Sequence, residues 1–419
     1  MNRCLEEDWF LLPFELKLQR AHARALEAAR ILSALEHEAL RTALDAIERE
    51  FGQAACPRSE AEDLHTWVEE KLIESAGEAG RKIHTARSRN DQIATLLKMY
   101  VIEAGGRLKQ DLGDLVRVTC HKARAWADLA FPLQTHQQFA APGSVGFWVL
   151  RYATSFDRVR RRLELSLREW RQYCPLGAGA VAGSSIPIDR RIQARELNFA
   201  EPAPNALDVT STRDECLELL ALATQFALHL QSLATDVIVF SQTALGWTRY
   251  PAEFATGSSM MPNKANPDAM ELLRGECNAV TAAHAELVSI LKGLPSGYNR
   301  DLQCVKPVVR RGAEKLHALA EMAAAFLERL EFDPQRLAAS LQEGNTGATL
   351  RMEENVLAGA PLREAHHAVA SEVGDATDGS APVIDSPLTR YRTLGSTNPS
   401  EVRRVADVIL ASLGEGREA

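Results

Sequence analysis

Apolar side chains along this chain return at the helical interval far more often than they alternate. Leu40, Ala43, Leu44, Ile47 and Phe51 follow the i, i+3, i+4, i+7 rule that lays one apolar stripe on an α-helix. Ser33 and Glu36 stand just ahead of them at capping-box spacing, where a hydroxyl and a carboxylate satisfy the first free amides. Ile93, Leu96, Leu97, Tyr100 and Val101 repeat the stripe, and Leu316, Leu319, Ala320, Ala323 and Leu327 repeat it again after Pro307. From Arg213 to Leu245 the chain is rich in Leu and Ala and has neither Gly nor Pro. As one helix that stretch would run roughly 50 Å, longer than a small globular domain needs. No succession of short alternating strands and no Gly-rich strand-to-helix turn stands out. The expected fold class is all-α, with long central helices.

Helices of such length bury their faces in a multi-helix bundle, often one completed by other subunits. Punctuation marks breaks near Gly80 to Arg87 and at Asp333-Pro334, and a Gly/Asp/Ser/Pro-rich stretch from Gly374 to Pro387 reads as a long loop. The expected organisation is an N-terminal helical domain over residues 1–86, a central long-helix bundle over 87–336 and a small C-terminal helical domain over 337–419.

Composition narrows the class. The net charge of −8 over 419 residues is mild and spread out, so it gives neither a nucleic-acid footprint nor an acidic tail. No uninterrupted apolar run approaches the roughly 20 residues of a bilayer span, and the start, MNRCLEEDWF, lacks the order of a secretory signal. No membrane role is expected. The 7 cysteines are odd in number, scattered and without a CxxC pair, which argues for reduced thiols in the cytoplasm and against a disulfide framework or zinc site. His366 and His367 are adjacent and point different ways on a helix, so no metal-spaced cluster appears. Neither a metal nor a cofactor is expected.

The chemistry concentrates in polar punctuation between the helices. Gly257 to Pro267, GSSMMPNKANP, brings a flexible Gly, two hydroxyls, a Lys and two amides into one loop that can close over an anion. His84 to Gln92, HTARSRNDQ, opens the helix carrying Ile93 to Val101. There Ser88, Asn90 or Asp91 serves either as a plain N-cap or, with Arg89, as a carboxylate-binding corner at a helix N-terminus. A third segment, QTHQQ from Gln134 to Gln138, holds a His between helices, a place where structural histidines are common.

The first loop resembles the signature GSSxMPxKxNP of the fumarase/aspartase lyase superfamily, with every fixed position filled in order. HTARSRNDQ is similar to HTGRSRNDQ of the argininosuccinate lyases. The same branch is matched by PLGAGAVAG from Pro175 to Gly183 with Asp189-Arg190, by YNRDLQ from Tyr298 to Gln303 with Lys306, and by PLREAH from Pro361 to His366. The resemblance runs from about Glu60 to the C-terminus and is weaker before it. It implies a helical three-domain lyase, a homotetramer with sites shared between subunits, acting on a small molecule. The reaction implied is elimination of fumarate from argininosuccinate to leave arginine.

Carried over residue by residue, the resemblance makes Ser258 the base and Lys264 and Asn266 the donors to the developing aci-carboxylate, whose charge needs strong stabilisation. His136, paired with Glu271, becomes the partner in proton transfer. Ser88, Arg89, Asn90, Thr135, Tyr298, Gln303 and Lys306 would hold the rest of the substrate. Departures from the family pattern are Gln19 for a Ser, Ala86 for a Gly, Gln137 and Phe139 for Leu and Arg, Ala178 for a Ser and Leu350 for an Asp. Gln19 and Phe139 bear on the amino-acid end of the substrate. Two alternatives stand beside the main expectation. One is a sister lyase releasing fumarate from another N-substituted aspartate, and the other is a helical tetramer recruited as a structural protein.

Overall fold

The computed structural model of the chain describes residues 3–375 and 386–415. Five long helices dominate: Arg89–Ala125, Val145–Trp170, Asp214–Phe240, Asp268–Leu291 and Val305–Arg329. The longest, 37 residues, extends about 55 Å. The Leu/Ala-rich stretch forms a helix only to Phe240, because the chain then turns through Gly246, at φ 59°, whose amide donates to Gln242 O at 2.7 Å. Its length and apolar composition match those of a bilayer span, yet half of its most apolar window is buried within the chain.

The chain forms two compact units. The first takes Met1–Lys109, Arg162–Thr224 and Ala279–Lys315; the second takes Gln110–Arg161, Gln225–Asn278 and Leu316–Ala419.

In the first unit the expected stripes become the core. Leu40, Ala43, Leu44 and Ile47 of the Ala34–Phe51 helix pack with Leu12, Leu16, Leu26, Trp67, Val68 and Leu96. Ser33 and Glu36 form the reciprocal capping box anticipated for that helix. Trp9, Phe51 and Trp67 meet edge to face at 4.9–6.5 Å, the arrangement the aromatic quadrupole favours. Beside this apolar core runs a fully buried polar network. Glu15 accepts from Gln19 at 2.6 Å and Gln92 at 2.5 Å and meets His65 Nδ1 at 3.0 Å, while Arg87 donates to Gln19 at 3.0 Å.

The second unit is organised around the aromatic side chains of Phe131, Trp148, Phe240, Trp247 and Phe332, whose rings lie 5.2–6.5 Å apart. They anchor the antiparallel hairpin of Ala130–Thr135 with Gln138–Ser144. This hairpin is absent from the sequence reading. Its strands do not alternate, and Pro132 faces Pro142, a residue type that argues against strands. Asp333 caps the Pro334–Glu343 helix at the expected break, accepting from the amides of Gln335 and Arg336. Of the expected loop from Gly374 to Pro387, Gly374 ends up inside the Leu362–Asp375 helix, Pro387 opens a short 3-10 turn, and residues 376–385 lie outside the described residues.

Candidate active site

In the first unit, Ser88 caps the Arg89–Ala125 helix. Its hydroxyl oxygen accepts from the Asn90 amide at 3.3 Å, and its own amide donates to Asp91 Oδ1 at 2.9 Å. The second carboxylate oxygen of Asp91 accepts from the amides of Gly177 and Gly179, both at 2.9 Å. Burial pushes the Asp91 carboxyl up to about 6, against the pull of those amides and of Arg87. Asn90 Nδ2 donates to Ala180 O at 3.0 Å. Arg89 is half-buried and tied, donating to Glu69 at 3.0 Å and Gln92 at 3.0 Å. Of the two readings of this segment, the structure shows the cap, with Ser88 as the capping residue.

The same unit holds Tyr298, Gln303 and Lys306. Gly297, at φ 93°, donates its amide to Ser211 Oγ at 2.7 Å and so fixes the start of this segment. Tyr298 is half-buried, and that burial pushes its phenol up. Gln303 Nε2 is buried without a hydrogen-bond partner among the described residues. Lys306 is only 1% exposed and lies 2.5 Å from either carboxylate oxygen of Asp8, itself 1% exposed. Cys4 Sγ donates to Asp8 Oδ2 at 3.1 Å, and burial followed by the Asp8 charge pushes the thiol up to about 12. In the free chain Lys306 thus faces Asp8. Gln19 is fully buried between Glu15 and Arg87, so the departure there is absorbed by the polar network.

In the second unit, His136 and Gln137 are the two central residues of the hairpin turn, at φ 53° and 60°. Positive φ at both positions is the type I′ pattern, which favours Asn-Gly; two larger side chains there carry about 1 kcal/mol of strain or more. Thr135 and His136 are held exposed at the tip. Phe139, at the hairpin's flank, stacks on Trp247 at 5.8 Å and abuts Gly344, where a Cβ would lie 2.6 Å from the Phe139 side chain. Phe139 is therefore an anchor for the hairpin.

The GSSMMPNKANP loop is also a hairpin, with Thr256–Gly257 paired to Ala265–Asn266. Ser258 Oγ sits at its entrance and accepts from the amides of Met261 at 3.0 Å and Met260 at 3.3 Å. Lys264 and Met260 project outward, Met260 88% exposed. Glu271 is exposed in the first turn of the Asp268–Leu291 helix, and no hydrogen bond joins it to His136 in the single chain. Three contributors escaped the sequence reading: Asp8, in the weakly matching N-terminal segment; Asp91, seen only as a cap; and Arg190, noted only for its place in a motif.

With these elements in place, a family profile described as a lyase matches residues 8–282. The argininosuccinate lyase of Acidobacterium capsulatum is 37% identical over 400 residues, covering 94% of this chain and 82% of that protein. That of Thermus thermophilus is 40% identical over 371 residues, covering 88% and 80%. The chain belongs to the argininosuccinate lyase family. Membership in this family makes the protein a carbon–nitrogen lyase. The fold agrees: a solved EDDS lyase in complex with formate superimposes with a TM-score of 0.86 at 21% identity, covering 97% of this chain and 87% of that one. A class II fumarase from Schistosoma mansoni superimposes with a TM-score of 0.72 at 18% identity, covering 88% and 84%.

Proposed function

We propose that this lyase eliminates fumarate from argininosuccinate and releases arginine, as a homotetramer whose sites draw residues from several subunits. Ser258 removes a proton from the succinyl carbon next to a carboxylate. The electron pair passes through the aci-carboxylate, held by Lys264 and Asn266, and then expels the nitrogen, which takes up a proton as it leaves, with His136 as the partner in the transfer. The observation that carries this reading is the pair of backbone amides aimed at Ser258 Oγ, which would stabilise the oxygen as it becomes an alkoxide.

His136 and Glu271 are unpaired in one chain and exposed, which suits a partnership made between subunits. Leu165, Leu228, Leu272 and Val288 on the long helices are 46–64% exposed, apolar surface that subunit contacts would cover. We place the protein in the cytoplasm, where its seven free thiols stay reduced. The test is fumarate formation, followed by ultraviolet absorbance, from purified protein and argininosuccinate, with Ser258→Ala as control. Turnover abolished by the substitution supports substrate and base together. No fumarate from argininosuccinate sinks the substrate assignment, and release from another N-substituted aspartate would then point to a sister lyase.

A further inference from the structure

Asp91 takes no part in the chemistry above, yet it is fully buried and makes three hydrogen bonds with its two oxygens. Oδ1 serves the helix cap through the Ser88 amide. Oδ2 serves the amides of Gly177 and Gly179, on a loop 86 and 88 residues further along the chain. That loop is gripped a second time, with opposite sign. Arg190 donates to the carbonyls of Leu176 at 3.0 Å, Ala203 at 3.1 Å and Cys174 at 3.2 Å. An anion therefore holds the loop's amides, while a cation holds the carbonyls of Cys174 and Leu176, which lead into the loop, and that of Ala203 on the neighbouring segment. Gly177 and Gly179 are required for this: at φ 80° and 65°, a Cβ would come 2.6 Å from Gln193 Oε1 and 2.7 Å from Gly183 O respectively. The loop's outer part then takes the Asn90 side chain on Ala180 O.

We propose that Asp91 is a positioning residue: through the loop Gly177–Gly183 it sets the side-chain geometry of Asn90 and its neighbours Ser88 and Arg89, so that this corner is rigid before substrate arrives. The proposal rests on the reading of that corner as a substrate-binding element. A cap alone would need only Oδ1. The second oxygen, the fixed glycines and the opposed Arg190 clamp are what a cap leaves unexplained. Because such a corner holds substrate and transition state alike, loosening it raises KM more than it lowers kcat.

Asp91→Asn separates the two roles, because the amide keeps one acceptor but turns N–H groups toward amide donors on the other side. The expected result is a KM for argininosuccinate raised about tenfold to a hundredfold, with a smaller change in kcat. Amide hydrogen exchange over residues 177–183 should quicken at least about tenfold, while the Arg89–Ala125 helix beyond its first turn keeps its protection. Gly179→Ala disturbs the loop without touching the carboxylate and should give the same KM rise, non-additive with Asp91→Asn. An unchanged KM in both variants, or unchanged exchange in the loop, overturns the proposal. If the wild-type protein releases no fumarate from argininosuccinate, the substrate reading fails by itself. Fumarate as probe then decides the present point. Protection of residues 88–92 and 177–183 by fumarate in wild type, lost in Asp91→Asn, supports it; equal protection in both, or none in either, overturns it.

Discussion

Replacing Lys306 by Met should cost the first unit about 3–5 kcal/mol of stability. The ammonium lies 2.5 Å from either oxygen of Asp8, and both side chains are 1% exposed. Deleting one partner of such a pair leaves a carboxylate in a site closed to water, a loss of about 3–5 kcal/mol. Cys4 supplies only a weak thiol donor to Asp8 and offsets little of it. Deleting both charges, as Asp8→Asn with Lys306→Met, removes the stranded ion and should restore all but about 1–2 kcal/mol. Asp8→Asn by itself strands the ammonium at a similar cost, so the two single effects should sum to well above the effect of the double variant. Urea unfolding followed by far-ultraviolet circular dichroism reads this as a midpoint about 1–3 M lower for Lys306→Met and mostly recovered in the double variant. Additive single-variant effects would refute the reasoning. They would mean that the Lys306 charge is satisfied elsewhere and that the ammonium is free to hold substrate.

Gly344→Ala sets a methyl 2.6 Å from Phe139 and must push the hairpin outward. Displacing His136 by about 1 Å should lower kcat up to a hundredfold, checked by steady-state fumarate release alongside a circular dichroism melt that stays near wild type. Asp91 has its folded value raised to about 6, above the unfolded value of about 3.9. Its contribution to folding is therefore complete below the unfolded value and is lost as pH rises through about 6, whereas its grip on the loop needs the carboxylate. KM should accordingly climb as pH falls below about 6, and Asp91→Asn should flatten that limb of the KM–pH profile. Glu15→Ala strands His65, Gln19, Gln92 and Arg87 in a dry network and should cost about 3–5 kcal/mol, read as a lowered urea midpoint, while His65→Phe alone should cost less.

The helices were legible because a stripe such as Leu40, Ala43, Leu44 and Ile47 needs only local spacing to declare which face is buried. The Ser33 capping box and the Asp333-Pro334 start were legible for the same reason, since every group involved lies within one turn. The hairpin bearing His136 was not. Its register comes from Phe131 and Phe139 packing on Trp247, more than a hundred positions away, and its turn lacks the Asn-Gly signal. The same limit governs the site. The GSSMMPNKANP loop carries its resemblance to the lyase signature in one contiguous string. Lys306 is assigned to substrate by resemblance, while its contact with Asp8, 298 positions earlier in the chain, cannot be read from local spacing. Asp91 looked like a cap because Gly177 and Gly179 join it only after folding.

A serine hydroxyl is a weak base, so the role proposed for Ser258 requires its activation. A hydrogen bond to an ionised oxygen stabilises it by about 1.5–3 kcal/mol, so the Met260 and Met261 amides together offer about 3–6 kcal/mol. That lowers the hydroxyl's pKa, and less while water competes for the same oxygen. The loop is open in the single chain: Met260 is 88% and Met261 47% exposed, both beside the proposed base. Two large apolar side chains held in water next to a proton acceptor make sense as material for a seal. Once covered, they exclude water, strengthen the two amide contacts and bring Lys264 to bear on the substrate carboxylate in a medium of lower dielectric. Proton transfer is then confined to the closed site, and a Ser258 without that cover, however well its amides are placed, remains an alcohol.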